Sequence, residues 1–463
     1  MFKKEIYLKR RNTLRSKVKS GLILMPGNRE TPYNYPSNTY HFRQDSTFLY
    51  YFGLNHADMV GVIDIDADTD CIYANDYTID DIIWMGDQPT VRQLAAEAGV
   101  GSTYPLRELA AVVANAVASG RKVHFLPPYR ADISAMIERL LGISAASVPV
   151  YASRELTAAV ISMREIKEPE EIEEIEKACE IGYAMHTTAM RMCRPGTAER
   201  EIAGVVEGIA LSRGAGVSFH NIITQNGQTL HNHNHSGILE QGRLMLMDAG
   251  AENSMNYCSD NTRTMPVGGK FSPLQRDVYN VLVSAFEHAI ELIKPDVRYL
   301  DVHLAACRRI TEGLKELGFM KGDVDEAVAS GAHALFMPHG LGHQMGLDVH
   351  DMEGLGETAV GYDSQTERSS QFGLASLRMG KKLRKGHVIT CEPGIYFIPA
   401  LLDKWEREHI NGSFIDYDKV RSMATFGGMR VEDDILVTET GRKVLGGHRI
   451  PYTADQIEDY MAK

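Results

Sequence analysis

Five side chains combine metal-ligand chemistry with positions at strand ends or in glycine turns. They are Asp248 in Leu-Met-Asp-Ala-Gly, Asp260 in Cys-Ser-Asp-Asn-Thr-Arg, His343 in His-Gly-Leu-Gly-His, Glu392 in Cys-Glu-Pro-Gly-Ile-Tyr and Glu432 in Met-Arg-Val-Glu-Asp-Asp. Each acid is flanked by apolar strand residues, where an unpaired carboxylate is costly to bury and a cation would remove that cost. Four carboxylates balance two divalent ions. Any one of these acids alone is more often a surface or capping residue, so the hypothesis of a two-metal site rests on the whole set.

Two histidine-rich segments offer further ligands or catalytic groups. The glycines of His339-Gly-Leu-Gly-His343 allow a tight backbone beside two imidazoles. The tract His231-Asn-His-Asn-His235 resembles a metal-binding run, because alternate residues of an extended segment share a face. A plain polar loop explains the same tract equally well.

The elements that must position these residues alternate along the chain. Residues 1–155 contain strand-like and helix-like segments typical of a small α/β domain. The charged segment 162–170 indicates a domain joint, after which Pro169 opens a long amphipathic helix. Ser272-Pro273-Leu274-Gln275 is a capping box that opens another helix. Strands are predicted at 221–224, 243–248, 263–267, 388–391 and 429–437, so the fold class is α+β.

Length, charge and cysteine pattern narrow the class of protein. At 463 residues the chain is long enough for two or three domains. The net charge of −12 argues against a nucleic-acid partner, and the basic start, Lys3 to Lys19, is interpreted as a solvated helix face. Six scattered cysteines without a C-x-x-C pair are typical of reduced thiols, and no apolar run is long enough for a signal core or a membrane span. We therefore expect a cytoplasmic enzyme-sized protein with no membrane partner.

The order and local context of the five ligands resemble the pita-bread metallopeptidases, the family of methionine aminopeptidase, aminopeptidase P and prolidase. The resemblance implies a creatinase/aminopeptidase-like catalytic domain over 165–463, preceded by an aminopeptidase P/prolidase-type α/β domain over 1–160. It implies that Asp248 chelates one metal, that His343 and Glu392 hold the other, and that Asp260 and Glu432 bridge the pair. Asp260 follows Asp248 by 12 residues, one more than expected for many members. An extra residue in the turn 252–257 would absorb the difference.

The same resemblance implies a mechanism for hydrolysis of the bond before proline. A hydroxide bridging two divalent metals would attack the carbonyl, with Glu392 as proton shuttle. His231, His339 and His350 would orient the substrate and stabilise the oxyanion, and Arg430 would support the site or hold substrate. Mn²⁺ is the expected metal, with Zn²⁺, Co²⁺ or Fe²⁺ as alternatives. Small peptides with proline in second position are the expected substrates, and a homodimer is the expected assembly.

Two features favour a dipeptidase of the prolidase type over an aminopeptidase P that acts on longer peptides. The segment between Glu392 and Glu432 spans 40 residues, which resembles the long loop of prolidases. Arg378 in Ser376-Leu-Arg378 resembles the arginine that grips the free carboxylate of a dipeptide, a contact that suits a planar guanidinium. A solvent-facing arginine in a basic patch is the alternative for Arg378. Metal-free creatinase and non-catalytic peptide-binding relatives are the remaining alternatives, but both have lost ligands that this chain retains.

Overall fold

The computed structural model describes residues 1–463 and divides into two compact units. The first unit comprises residues 1–164 with Gly354–Gly356, and the second comprises residues 165–353 and 357–463. None of the helices combines the length and the apolar character that crossing a bilayer requires.

The first unit is built on a five-stranded mixed sheet with the strand order β6-β5-β4-β1-β7. Strand β1 pairs antiparallel with β4 and parallel with β7, and the sheet packs against helices around an apolar core. A separate hairpin joins β2 and β3. The elements in chain order are α1 (Lys4–Val18), β1 (Leu22–Pro26), β2 (Pro32–Tyr35), β3 (Asn38–Thr39), α2 (Ser46–Phe52), β4 (Val60–Asp64), β5 (Thr69–Tyr73), α3 (Ile79–Met85), α4 (Val91–Glu97), β6 (Ser102–Tyr104), α5 (Leu109–Ala118), β7 (Val123–His124), α6 (Ala131–Leu141), α7 (Val148–Tyr151) and α8 (Arg154–Arg164).

The basic helix α1 corrects one expectation. The sequence predicts a solvated basic face, but Arg10 and Arg11 are buried. The Arg11 guanidinium donates to Asp70 Oδ2 at 2.6 Å and to the carbonyl oxygens of Tyr51 and Ala98. These partners are distant in sequence, which is why the pattern of α1 alone does not reveal them.

The second unit alternates long helices with small antiparallel sheets. The strand orders are β12-β10-β9, β11-β8, β13-β16-β17 and β14-β15. The elements in chain order are α9 (Pro169–Met192), α10 (Glu199–Arg213), β8 (Gly216–Val217), β9 (Ile222–Thr224), β10 (Leu244–Ala249), β11 (Ala251–Glu252), β12 (Asn261–Pro266), α11 (Pro273–Leu292), α12 (Tyr299–Glu316), α13 (Val324–Ala329), α14 (Glu357–Gly361), β13 (Val388–Cys391), β14 (Gly394–Tyr396), α15 (Pro399–Arg407), α16 (Tyr417–Arg421), β15 (Gly428–Arg430), β16 (Asp433–Val437), β17 (Arg442–Val444) and α17 (Ala454–Met461).

The helix starts follow the predicted capping chemistry. Pro169 occupies the first turn of α9, where its missing N–H has no intrahelical acceptor to lose. Ser272 accepts from the backbone N–H of Gln275, whose side chain accepts from the backbone N–H of Ser272, so the predicted capping box opens α11. Helices and separate antiparallel sheets together confirm the α+β class.

Strand 388–391 forms as predicted, and the strand predicted at 221–224 forms over 222–224. The predicted strand 429–437 is instead two strands. Residues 428–430 form β15 and pair with β14, whereas 433–437 form β16 and pair with β13. The break falls at Val431 and Glu432, and Glu432 forms an isolated bridge with Thr262 instead. A continuous apolar run does not reveal that its two halves pair with different partners.

The turn that follows β10 lies outside the ladder that joins β10 to β12. The ladder between β10 and β12 runs without a register shift from Leu244–Pro266 to Ala249–Asn261. In the intervening loop Asn256 adopts a left-handed φ of 63°. An extra residue in this loop would therefore leave β10 and β12, which hold Asp248 and follow Asp260, in register.

Candidate active site

The sheets of the second unit bring the five predicted ligands to one place. Asp248 lies near the end of β10, and Asp260 directly precedes β12. Glu392 directly follows β13, and Glu432 lies between β15 and β16. Cys391 pairs with Asp433, so the residues that flank Glu392 and Glu432 meet across one ladder.

Three of the five candidate ligands are close enough to share a cation. Single ligand atoms of Asp260, His343 and Glu432 all lie within 4.8 Å of one another. The His343 Nε2 atom lies 3.4 Å from Asp260 Oδ2 and 3.8 Å from Glu392 Oε1. Carboxylate oxygens with one imidazole nitrogen form a donor set that Mn²⁺, Fe²⁺, Co²⁺ and Zn²⁺ accept.

The electrostatics of the cluster also fit bound cations. Burial raises the pKa of Asp260 and of Glu432 well above the ordinary range, and repulsion from neighbouring carboxylates, Asp248 among them, adds to the effect. Burial raises the pKa of Glu392 as well. Asp248 Oδ1 and Asp260 Oδ1 are buried without a hydrogen-bond donor from the protein. Cations bound at these oxygens would supply the missing partners and would offset the repulsion between the carboxylates.

Arg430 is the buried cation that the chain itself supplies to this cluster. Its Nη2 donates to Asp248 Oδ2 at 2.6 Å, and its Nη1 donates to the Tyr396 hydroxyl at 2.7 Å. Thr262 lies beside it and donates from Oγ1 to Glu432 Oε2 at 2.7 Å. These contacts hold two of the carboxylates in fixed orientations.

His339 is fixed by two hydrogen bonds. Its Nδ1 lies 2.8 Å from the carbonyl oxygen of Gly340, so Nδ1 carries the hydrogen, and its Nε2 lies 2.9 Å from the Tyr396 hydroxyl, which donates to it. Burial, assisted by the nearby Arg430 charge, lowers the pKa of His339 to about 3. The neutral imidazole stands 4.0 Å from Glu392 Oε2.

His350 is held by a carboxylate that it shares with Arg378. His350 Nδ1 lies 2.8 Å from Glu353 Oε1, and Arg378 Nη1 donates to Glu353 Oε2. The His350 ring stacks on His343 with centroids 3.8 Å apart. Burial, with repulsion from His343, lowers the pKa of His350 to about 4.

Arg378 faces the site, not the basic patch considered as its alternative. That patch comprises Arg378 with Lys381, Lys382 and Arg384, and two of these, Lys381 and Arg384, pair with Glu165. The Arg378 side chain is 35% exposed and also contacts Glu357 at 3.3 Å. The guanidinium is thus at the wall of the cavity and already has two carboxylate partners.

The tract 231–235 divides its histidines between two roles. His231 and His233 line the cavity, whereas His235 Nε2 contacts the carbonyl oxygen of Asn221 at 3.0 Å. Burial and the Arg430 charge lower the pKa of His231. None of the three joins the group of close ligand atoms around Asp260.

The cavity in front of the ligands has a volume of about 550 Å³, within the range of about 300–1,000 Å³ for small-molecule sites. The five ligands, three candidate histidines and both arginines are brought together here, since all but the buried His343 line the wall, and His343 contacts Asp260, Glu392 and His350. Phe219, Ile222 and Val349 add apolar surface. The site therefore combines a cluster of potential metal ligands with room for a small molecule.

Four residues that position the site escape the sequence argument. Tyr396 links His339 to Arg430, Thr262 orients Glu432, and Glu353 joins His350 to Arg378. Asp434 accepts from the backbone N–H of Asp260 at 3.0 Å. For three of them the only signal in the sequence is proximity to a predicted ligand. Tyr396, Thr262 and Asp434 each lie two to four residues from one.

Two family profiles match the chain, one in each unit. Metallopeptidase family M24 matches residues 173–439, which include all five ligands. The aminopeptidase P N-terminal domain matches residues 7–124.

Similar proteins cover nearly the whole chain. The Xaa-Pro dipeptidase of Homo sapiens is 30% identical over 456 residues, covering 95% of this chain and 88% of the relative. A probable Xaa-Pro aminopeptidase of Emericella nidulans is 32% identical over 434 residues, covering 92% and 86%. The solved structure of aminopeptidase P from Escherichia coli with the inhibitor Pro-Leu superposes with a TM-score of 0.81 at 28% identity, covering 100% of this chain and 98% of that chain.

Proposed function

The chain belongs to metallopeptidase family M24, and we propose that it is an Xaa-Pro dipeptidase, which releases proline from dipeptides in a metal-dependent hydrolysis. The family predicted from the five ligands and the preceding aminopeptidase P-type domain are both confirmed. The curated relatives include Xaa-Pro dipeptidases and Xaa-Pro aminopeptidases. Both kinds of enzyme are named for cleavage of the bond before proline.

The observation that carries the dipeptidase proposal is the position of the Arg378 guanidinium at the wall of the cavity that holds the ligand cluster. Arg378 lines the same cavity as Glu392 and lies near enough to lower the pKa of that carboxyl, although burial dominates and raises it. A dipeptide has its free carboxylate one residue beyond the scissile bond. A planar guanidinium in the same cavity as the cluster suits such a carboxylate, because it can donate two parallel hydrogen bonds.

We propose Mn²⁺ as the physiological metal, held by Asp248, Asp260, His343, Glu392 and Glu432. Divalent ions at this position supply Lewis-acid polarisation of the scissile carbonyl and lower the pKa of an attacking water. The mainly carboxylate donor set favours a hard ion such as Mn²⁺, while Zn²⁺, Co²⁺ and Fe²⁺ remain alternatives for the same ligands.

The side chains around the cluster take the remaining steps. Glu392 accepts the proton of the attacking water and returns it to the proline nitrogen as the C–N bond breaks. Neutral imidazoles at His231, His339 and His350 orient the peptide, and those with an available N–H stabilise the oxyanion. Arg430 fixes Asp248 and, through Tyr396, the ring of His339.

An Xaa-Pro aminopeptidase is the second candidate, and a specific observation favours it. Arg378 already pairs with Glu353 and Glu357, so a substrate carboxylate must compete with both. If those pairs persist, the arginine shapes the wall without selecting free carboxylates, and longer peptides become acceptable.

A product analysis decides between the two candidates. Manganese-loaded enzyme is offered Ala-Pro and Ala-Pro-Ala together at equal concentration. Fast release of proline from Ala-Pro with the tripeptide left largely intact supports the dipeptidase. Fast release of alanine from Ala-Pro-Ala establishes the aminopeptidase instead, and cleavage of neither peptide contradicts the hydrolase assignment.

We also propose that the protein is a cytoplasmic homodimer. The six cysteines are free, which supports a reducing compartment.

Helix α3 exposes Ile79, Ile83, Trp84 and Met85 by 71%, 69%, 86% and 57%, a concentration of apolar surface that indicates a contact with another protein. Light scattering tests the assembly: the wild type is expected to be a dimer, Trp84→Asp to weaken it, and a monomeric wild type would refute it.

A further inference from the structure

A second group of metal-ligating side chains lies in the same unit, outside the catalytic cluster. His303 and Cys307 are one turn apart on α12, so they share a helix face. His333 lies in the short 3-10 turn Ala332–Leu335. One ligand atom from each residue can be chosen so that all three lie within 4.8 Å of one another.

All three side chains are buried, and three of the four ring nitrogens have no hydrogen-bond partner. His303 and Cys307 are fully buried and His333 is 1% exposed. Neither ring nitrogen of His333 has a hydrogen-bond partner, and the Nδ1 of His303 has none. The only contact of His303 Nε2 in this group is the Cys307 sulfur at 3.4 Å. Because burying a nitrogen without a partner is costly, a ligand bound by these nitrogens would stabilise the cluster.

Three properties favour a metal ion in this place. Burial, with mutual repulsion, lowers the pKa of His303 to about 3, and burial lowers that of His333 to about 4, so both rings stay neutral and offer lone pairs. Tetrahedral zinc with bonds of about 2.0–2.3 Å brings its ligand atoms to about 3.5 Å from one another. The observed 3.4 Å contact between His303 Nε2 and the Cys307 sulfur already meets that separation, and the ligand atoms of all three residues lie within 4.8 Å of one another.

We propose that His303, Cys307 and His333 bind a third metal ion, of the Zn²⁺ class, that is separate from the catalytic pair. A thiolate with two imidazoles selects Zn²⁺ or Co²⁺ over Mn²⁺, the reverse of the carboxylate-rich site. Binding transfers the Cys307 thiol proton to solvent and leaves one tetrahedral position for water. The ion would link the 3-10 turn to α12. Because His333 lies six residues before His339, the ion would also stabilise the segment that carries the His339 imidazole.

Cobalt provides the test, because a thiolate ligand gives Co²⁺ a charge-transfer absorption that carboxylates and imidazoles do not. Chelator-treated full-length protein is loaded with excess Co²⁺ and desalted, and cobalt per chain is measured with the near-ultraviolet spectrum. The wild type is expected to retain about three ions and show the thiolate band. Cys307→Ser is expected to retain about two ions and lose the band. Cys193→Ser is the matched control, since Cys193 is also a fully buried thiol. This variant should keep the third cobalt ion and the thiolate band.

The wild type alone keeps the proposal falsifiable if Cys307→Ser does not fold. Zinc-loaded wild type should show one sulfur ligand at about 2.3 Å by X-ray absorption, and its zinc content should exceed its manganese content by about one ion. Two zinc ions per chain with no sulfur ligand would overturn the proposal. So would a thiolate band that persists in folded Cys307→Ser, because another cysteine would then be the ligand.

Discussion

Replacing Arg378 by glutamine tests whether this side chain selects a free carboxylate. Arg378 lines the cavity and donates to Glu353, which in turn holds His350. The substitution therefore has a direct effect on a bound carboxylate and an indirect effect through His350. A pair of substrates separates them: Ala-Pro carries the carboxylate, and Ala-Pro amide lacks it.

The size of the direct effect follows from the hydrogen bonds lost. A hydrogen bond to a charged group contributes about 1.5–3 kcal/mol, which corresponds to about 10- to 150-fold in kcat/KM. Because Arg378 must leave Glu353 and Glu357 to bind the substrate, we expect the lower half of that range. The indirect effect through His350 should lower the kcat/KM of both substrates equally.

The assay is the ratio of kcat/KM for Ala-Pro to that for Ala-Pro amide, measured with manganese-loaded enzyme. We expect Arg378→Gln to lower this ratio about 10-fold or more, and Arg378→Lys to lower it less. Arg368→Gln is the matched control, because Arg368 also pairs with Glu357, at 2.7 Å, but does not line the cavity. An unchanged ratio in Arg378→Gln, with equal losses for both substrates, would refute the carboxylate contact.

Three further predictions concern residues that support the site or its unit. Thr262→Val removes the donor to Glu432 and should weaken Mn²⁺ binding about 10- to 100-fold by calorimetry, whereas Thr264→Val, which removes only contacts to backbone atoms of the neighbouring strand, should leave it within a few-fold. Tyr396→Phe breaks the link between an imidazole and a guanidinium and should lower kcat more than it changes KM; equal values for wild type and variant would refute the positioning role. Burial raises the pKa of Glu165, but the adjacent His387 imidazole and the Lys381 ammonium, which donates to Glu165 Oε2 at 2.6 Å, outweigh it and lower the value to about 2. Since the folded pKa is below the unfolded value, its stabilisation of about 3 kcal/mol is present above pH 4.5 and disappears as the pH falls towards 2. Urea unfolding of Glu165→Gln and wild type should therefore differ at pH 7 and converge in acid, and a constant difference would contradict the assignment.

The positions of the candidate ligands at strand ends were predictable from local sequence, whereas their assignment as one set depended on the order of the motifs along the chain. Asp248 and Glu392 stand at the ends of apolar strands, where a carboxylate without a partner is disfavoured. Helix starts at Pro169 and Ser272 depend on three or four adjacent residues and were likewise predictable. Such features need no knowledge of which strands pair.

The supporting contacts were not predictable because they join distant parts of the chain. Thr262 and Glu432 are 170 residues apart in sequence, and Arg430 and Asp248 are 182 apart. The break between β15 and β16 has the same origin, since the two halves of one apolar run pair with different strands. The cluster around Cys307 gave no sequence signal either, because His333 approaches it only through the packing of the 3-10 turn on α12.

Anomalous diffraction from crystals grown with Mn²⁺ tests the central claim most directly. Asp248, Asp260, His343, Glu392 and Glu432 should enclose two manganese peaks about 3.5–4 Å apart. The thiolate-containing cluster should stay without manganese, because Mn²⁺ disfavours sulfur ligands. A single peak among the five ligands, or two peaks elsewhere, would contradict the two-metal site on which the proposed hydrolysis depends.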